Sequence, residues 1–394
     1  MVAASTDAPF RIAIDARPFG GPPCGYVVYL SSIIACLRAA DVQVTLLSNR
    51  PLLARHEAIA GLDQRVFGSA ADLRWEQTSL PELLAQERFD VYFVGANRGI
   101  PVRKCPATRY VLGLLDIIPY LFWRQYLLGS FVRRASRSWI IRETLSQLVS
   151  LARADAVLTI SQQSADDIRR IFRRRATAFP IRLAARDVVR SDTVRPQFAY
   201  VGGVDHRKRV DVLIRAFHLF SESRPDYRLV LIGANYSAVE PLITDLGLTD
   251  RVVLTGFIDD AAKYRILSES IAMVYPSLYE GYGLAIAEGF QAGIAVIAGP
   301  GGSQAEVGGD AIRRIDPMSP GDIAAAMVEM LDPATRDAWV RRGQAQLLQL
   351  SDPAIEQRTQ NYFRDQAVMA RAWLSGGAGR VPPAASGKDS PARP

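Results

Sequence analysis

Short apolar runs alternate with helix-length amphipathic segments along almost the whole chain, the pattern of a parallel sheet covered by helices on both faces. In the first half, "RIAID" (11–15), "QVTLLS" (43–48), "DVYFVG" (90–95), "RYVLGLLD" (109–116) and "DAVLTIS" (155–161) predict strands. A polar stretch, "RDVVRSDTVRPQ" (186–197), interrupts the pattern. It then restarts with "QFAYVGG" (197–203), "YRLVLIG" (227–233), "RVVLTG" (251–256), "IAMVYP" (271–276) and "IAVIAG" (294–299). The 394 residues exceed what one hydrophobic core usually serves. The expected α/β fold is therefore two Rossmann-like, doubly wound parallel-sheet domains facing a cleft, residues 1–190 and 191–352. A helix over 353–374 follows, and the Gly-, Pro- and Ser-rich tail 375–394 is expected to be disordered.

In open parallel sheets, ligands bind beyond the carboxyl ends of the strands, where loops feed helix N-termini. "FGGPPCG" (19–25), with Gly21 and Gly25, is one such loop, although it lacks dinucleotide-fingerprint spacing and the chain has no Walker sequence. On its own it reads equally well as a tight turn or a ligand loop. "VGGVDHRKRVDVLIRAF" (201–217) places Gly203, Arg207 and Lys208 where a strand gives way to a helix. Two cations there oppose the helix dipole unless an anion joins them, which points to phosphate.

"YEGYGLAIAEGFQAG" (279–293) sets Glu280 and Glu288 in apolar, glycine-rich surroundings. Glu280 falls in a loop and Glu288 about five residues into a helix that Gly293 closes, ~7 Å further along at 1.5 Å per residue. Two carboxylates so spaced can grip hydroxyls at the two ends of an extended ligand. The backbone of Gly281, Tyr282, Gly283 and Leu284 lies between them, facing phosphate oxygens. A sugar, a diphosphate and a ribose have that order. The competing reading makes Glu280 a helix cap and leaves Glu288 solvated, which its Leu, Ile, Ala and Phe neighbours oppose.

With these residues in place, the chain resembles the GT-B-fold retaining glycosyltransferases of family four over nearly all of residues 10–375. Glu280 and Glu288 match that family's E-x7-E motif, followed here by "GIAVIAG". The resemblance implies that Glu280 contacts the donor sugar and Glu288 the ribose, that "VGGVDHRK" binds the diphosphate, and that Ser161 and Phe257 lie at the nucleotide sugar. It implies a last helix that crosses back to the first domain. Many relatives have His-Asp where this chain has Leu115-Asp116, so no histidine acts there, and Asp116 is retained as a catalytic candidate. Many also carry an arginine where Gly203 stands, which leaves the diphosphate to Arg207 and Lys208. The chain contains no D-x-D and its three histidines have no paired spacing, so neither a metal nor a cofactor is expected.

Charge adds a partner. Residues 1–190 carry 26 Lys and Arg against 16 Asp and Glu, whereas the remainder carries 21 against 24. "YLFWRQYLLGSFVRRASRSWIIR" (120–142) interleaves five arginines with aromatics and has no acid, and "IRRIFRRRATAFPIR" (168–182) adds to it. An anionic inner-membrane surface suits that pattern, and an amphipathic helix packed on the sheet is the alternative. Nucleic acid is not expected, because none of its usual motifs appears. No apolar run reaches the roughly 18 residues of a membrane span, and the N-terminus lacks export features. Three cysteines without ligand spacing suit a reducing compartment; burial as small hydrophobes is expected for Cys36 and Cys105.

The expected protein is a cytoplasmic enzyme, peripheral on the inner face of the membrane. It would move a hexose, GDP-mannose being the preferred donor over UDP-glucose or a deoxysugar nucleotide, to a lipid-linked saccharide in exopolysaccharide or lipopolysaccharide assembly. The alternatives are a GT-B sugar-nucleotide 2-epimerase and a noncatalytic nucleotide-sugar-binding scaffold.

Overall fold

The computed structural model describes residues 8–21, 24–40, 42–128, 134–183, 191 and 193–374. The first sheet contains β1 (Phe10–Asp15), β2 (Val42–Ser48), β3 (Asp63–Val66), β4 (Val91–Val94), β5 (Arg109–Gly113), β6 (Ala156–Thr159) and β7 (Thr177–Ala178). The second contains β8 (Gln197–Val201), β9 (Arg228–Ile232), β10 (Val252–Leu254), β11 (Ala272–Tyr275), β12 (Ala295–Ala298) and β13 (Arg313–Arg314). Every pairing is parallel, including β1 with β2 and β4, and β8 with β9 and β11. The strand orders are 3-2-1-4-5-6-7 and 10-9-8-11-12-13. Each sheet thus reverses direction beside its own first strand, at β1/β4 and β8/β11. That switch point opens the crevice in which ligands of doubly wound folds bind.

The ten apolar runs read as strands are all strands. The three strands missed are the edge strand β3 and the two-residue edges β7 and β13. All four residues of β3 are exposed, and two-residue edges bury too little to leave an apolar signature. The run read as 109–116 ends its strand at Gly113, which releases Asp116 into the loop beyond the sheet.

The central strands β4, β11 and β12 are buried throughout. At the carboxyl end of β1, Arg17 lies between Asp15 at 2.6 Å and Glu76 at 2.7 Å, over the Trp75 ring. This buried charge is compensated on both sides, as burial requires.

The last helix, Ala354–Leu374, packs on the first sheet. Phe363 is fully buried and meets Phe93 edge to face at 5.1 Å. Arg371 pairs with Asp90 at 2.9 Å, and Arg109 donates to Gln366 at 2.9 Å. Of the stretch expected to divide the domains, 186–197, residues 186–190 and 192 lie outside the described residues, as does the tail 375–394. Because Phe363 is fully buried against Phe93 of the first domain, Phe363→Ala should destabilise that domain by ~3–5 kcal/mol. Denaturant unfolding followed by tryptophan fluorescence checks this; an unchanged midpoint would place the helix outside the folding unit.

Candidate active site in the interdomain cleft

The second domain supplies most of the polar groups. β8 ends at Val201 and the chain turns through Gly202, whose φ of +138° suits glycine alone and whose absent Cβ would lie 2.9 Å from Lys208 Nζ. Asp205 then caps a single 3-10 turn, His206–Lys208, by accepting from Arg207 N at 3.0 Å. The helix Val210–Ser221 begins only after this turn. Arg207 and Lys208 therefore sit ahead of the helix rather than in its first turn, and their side chains reach the cleft.

Across from them β11 ends at Tyr275, and the loop carrying Glu280 leads into the helix Leu284–Gln291. One carboxylate oxygen of Glu280, Oε1, meets Arg207 Nη1 at 2.6 Å and accepts from Tyr275 OH at 2.6 Å and Ser277 Oγ at 2.9 Å. Arg207 Nη1 also donates to the Tyr279 carbonyl at 2.8 Å. Glu280 is buried, so these bonds answer how it is tolerated there. Lys208 differs: among the described residues no carboxylate lies within ion-pair distance of it. Burial pulls its ammonium below the ordinary value, with Glu280 opposing that shift. A cation so placed favours an incoming anion.

Glu288 is half-buried on its helix and pairs with Lys263 at 2.7 Å; Lys263 also meets Asp260 at 2.9 Å. Burial works against the Lys263 charge, but Glu288 and Asp260 hold it above its ordinary value. Gly293 ends the helix with φ +68°, donating to Phe290 O while Ile294 N donates to Gly289 O. A cavity of 1450 Å³ runs along this face, lined by Gly25, Gly203, Lys208, Phe257, Leu284 and Glu288 among others. Phe257 is 71% exposed at its edge, an open ring face on which a planar group can stack.

The first domain brings up Asp116. Its Oδ1 accepts from Ile118 N at 3.1 Å. Burial raises its carboxyl above the ordinary range, Arg207 opposes the shift and Glu280 adds to it. Gly281 abuts it closely: a Cβ there would lie 2.8 Å from Asp116 Cβ. Ser161 caps the helix Gln162–Phe172 and donates to the Gly281 carbonyl at 2.8 Å. Tyr282 is buried and donates to Ile181 O at 3.3 Å. Gly21 accepts from Arg55 at 3.1 Å, and Gly25 opens the helix Gly25–Arg38. Glu280, Arg207, Asp116 and Gly281 thus form one cluster, and Gly25, Gly203, Lys208, Phe257, Leu284 and Glu288 line the adjoining cavity. Ser161 and Tyr282 spend their hydroxyls on backbone of the opposite domain.

Residues that the sequence reading did not single out complete the site. Tyr275 and Ser277 flank Pro276 in "VYPS", and polar side chains at a buried strand end so close to Glu280 were the available signal. Lys263 lies 25 positions before Glu288, and nothing local marks it. Of the cysteines, Cys36 is buried, Cys105 half-buried and Cys24 exposed.

Two facing doubly wound sheets with the site in the cleft are the architecture of the GT-B glycosyltransferases. The fold is similar to sucrose-phosphate synthase of Thermosynechococcus elongatus (TM-score 0.69, 17% identity, 91% of this chain and 100% of that one). It is also similar to HepE of Anabaena in complex with UDP-glucose (0.70, 16%, 90% and 99%), and to WaaG, a glycosyltransferase involved in lipopolysaccharide biosynthesis (0.66, 14%, 93% and 100%). Residues 182–346 match the family model of the group 1 glycosyl transferases. The chain is 30% identical over 170 residues, 42% of its length, to the O-antigen chain mannosyltransferase B of Escherichia coli. A glycosyltransferase of Bacillus subtilis is 26% identical over 164 residues, 40% of this chain. The matched region spans 45% of each of these two relatives.

Asp116 yields a pH prediction. Its folded-state pKa lies above the unfolded value, so the folded state binds the proton more tightly. The resulting stability is complete at low pH and is lost as pH rises through the folded value. Asp116→Asn keeps the acceptor for Ile118 N and cannot ionise. It should be more stable than wild type at pH 7, with the difference vanishing near pH 4. Denaturant midpoints at the two pH values measure this, and an asparagine variant less stable at pH 7 would contradict it.

Proposed function

We propose that the protein is a metal-independent, retaining glycosyltransferase that moves a hexose from a nucleotide diphosphate sugar to a saccharide acceptor. The observation that carries this reading is the arrangement of one buried carboxylate and two cations in the cleft. Glu280 is fixed by Arg207, Tyr275 and Ser277, beside a Lys208 with no carboxylate partner among the described residues. Glu288 stands further along the same wall. The diphosphate belongs at Lys208 and Arg207, the sugar at Glu280 and the ribose at Glu288, with Phe257 at the base. In the reaction the bond from the anomeric carbon to the diphosphate oxygen breaks as the acceptor hydroxyl bonds to the same face. The acceptor proton passes to the departing phosphate oxygen, whose charge the two cations stabilise. The E-x7-E spacing supports retention of configuration. Mannose as the donor sugar is supported by the mannosyltransferase relative, and GDP as its nucleotide carries over from the sequence analysis.

A lipid-linked acceptor at an anionic inner-membrane face is part of the same proposal. Among the described residues no helix is long and apolar enough to cross a membrane. In the segment 120–142, residues 129–133 and the side chains of 126–139 lie outside the described part of the structure. Phe122 meets the Tyr279 ring at 6.1 Å, so it faces the cleft. Trp123 is exposed, with Arg124 over its ring at 5.4 Å. On the helix Arg134–Arg153, exposed Ile141, Leu145, Leu148 and Val149 recur at helical spacing beside exposed Arg142. An apolar stripe with arginines at its side suits an anionic lipid surface.

Two experiments test the proposal. With a panel of nucleotide sugars in EDTA, Glu280→Gln should lower kcat by about 10²–10³ while leaving nucleotide affinity nearly intact. Glu288→Ala should chiefly raise the donor KM, because a ribose contact is made in ground and transition states alike. Normal turnover by the glutamine variant, or a strict need for added Mg²⁺, would overturn the mechanism. For the membrane, replacing Arg124 and Arg142 by Ala should weaken sedimentation with phosphatidylserine vesicles by ~2 kcal/mol, about 30-fold, and raised salt should have the same direction of effect. Equal sedimentation of variant and wild type would remove the membrane from the proposal.

A further inference from the structure

The loop that carries Glu280 is held from both domains. Within its own domain, the Glu280 carbonyl accepts from Ser303 N and Ser303 Oγ, each at 3.0 Å. Ser303 begins the short helix Gln304–Gly308. From the first domain, Ser161 Oγ at 2.8 Å and Ser164 Oγ at 3.3 Å donate to the next carbonyl, Gly281. One helical turn further on, Asp167 Oδ2 accepts from Tyr279 OH at 2.7 Å. Residues 279 and 281 are thus tied to the helix Gln162–Phe172, on either side of the carboxylate itself.

A separate contact locks that helix to the second domain. Glu306 lies in the helix that Ser303 begins. Its two oxygens accept from Gln162 N at 2.8 Å and Gln163 N at 2.5 Å, filling the first turn of Gln162–Phe172 with a carboxylate. A helix N-terminus leaves such N–H groups without intrahelical partners, and a negative group there is favoured by the helix dipole. Here the group comes from the opposite domain, 143 and 144 positions along the chain. One short helix therefore grips the Glu280 peptide through Ser303 and the opposing helix through Glu306.

We propose that Ser161, Asp167 and Glu306 are positioning residues that make the geometry of Glu280 depend on closure of the cleft. With the domains docked, the Tyr279 side chain and the Gly281 carbonyl are fixed, which adds a restraint on both flanks of a carboxylate that Arg207, Tyr275 and Ser277 already hold from within the second domain. With the domains apart, these bonds and the Glu306 cap open together, because all depend on the same helix. Ser303, Arg207, Tyr275 and Ser277 stay with the second domain, so that half of the loop remains in place. The cavity wall bearing Lys208 and Glu288 also belongs to the second domain. Nucleotide can bind there in the open form, and chemistry waits for the first domain to arrive.

This inference rests on the proposed transfer reaction for its kinetic arm and stands apart from it for its structural arm. In the structural arm, small-angle X-ray scattering compares wild type with Glu306→Ala and Ser161→Ala, with and without UDP or GDP. The expected result is a larger radius of gyration for both variants, at an unchanged denaturant midpoint for Glu306→Ala, whose contacts lie between the domains; Ser161→Ala also loses the cap to Ser164 N and should cost about 1 kcal/mol of stability. In the kinetic arm, with whichever donor the wild type turns over, Glu306→Ala should lower kcat between about 10- and 100-fold, the value of a lost charge-assisted hydrogen bond. Nucleotide affinity by calorimetry should change less than about threefold, and Asp167→Asn, which keeps an acceptor for Tyr279 OH, should retain more kcat than Asp167→Ala. The double variant of Ser161 and Glu306 should lose less than the product of the single losses, because both act through one closure. Wild-type scattering dimensions and full kcat in Glu306→Ala would overturn the proposal. A wild type inactive on every donor would overturn the transfer reaction, and the scattering would still decide the clamp.

Discussion

The contact on which the site depends is the buried meeting of Arg207 and Glu280. A carboxylate removed from water is tolerated only if its oxygens are satisfied, and here a guanidinium and two hydroxyls converge on a single oxygen at 2.6 to 2.9 Å. Their donors come from three places in the chain: the turn after β8, the last residue of β11 and the loop beyond it. Those places adjoin because β8 and β11 are neighbours in the sheet, at the point where the strand order reverses. The remaining features of the cleft are arranged around this pair. Lys208 follows Arg207 out of the same turn, and the Tyr279 carbonyl is fixed by Arg207 itself.

Two groups near the pair carry an electrostatic tension that a ligand relieves. Burial lowers the Lys208 pKa and raises that of Asp116, each shift penalising the charged form. An anion beside Lys208 favours the ammonium form. A polar acceptor near Asp116 gives its carboxyl a partner that the apolar loop does not. In both groups the nearby opposite charge, Glu280 for Lys208 and Arg207 for Asp116, offsets only part of the cost of burial.

Several contacts between the domains join a side chain of one to the main chain of the other. Gly281 admits no side chain because Asp116 and the Leu115 carbonyl occupy the space. The hydroxyls of Ser161, Ser164 and Tyr282 and the carboxylate of Glu306 all bond to main chain across the divide. Polar contacts of this kind are exchangeable for water at modest net free energy.

The sequence alone determined the class of fold, the location of every buried strand and the two glutamates. Each of these has a local signature. A strand buried on both faces needs an unbroken apolar run, and a carboxylate in apolar surroundings is conspicuous in any reading frame. The edge strands β3, β7 and β13 lacked that signature because an edge buries little. Tertiary structure alone decided which groups answer the carboxylates. Lys263 reaches Glu288 from 25 positions away, and Glu306 reaches Gln162 and Gln163 from the opposite domain. It also turned Ser161 toward the backbone of the facing loop and lifted Arg207 and Lys208 clear of the helix that follows them. Such pairings depend on how two sheets are stacked and rotated, and that arrangement is set by the sum of all their contacts; no stretch of ten or twenty residues contains it.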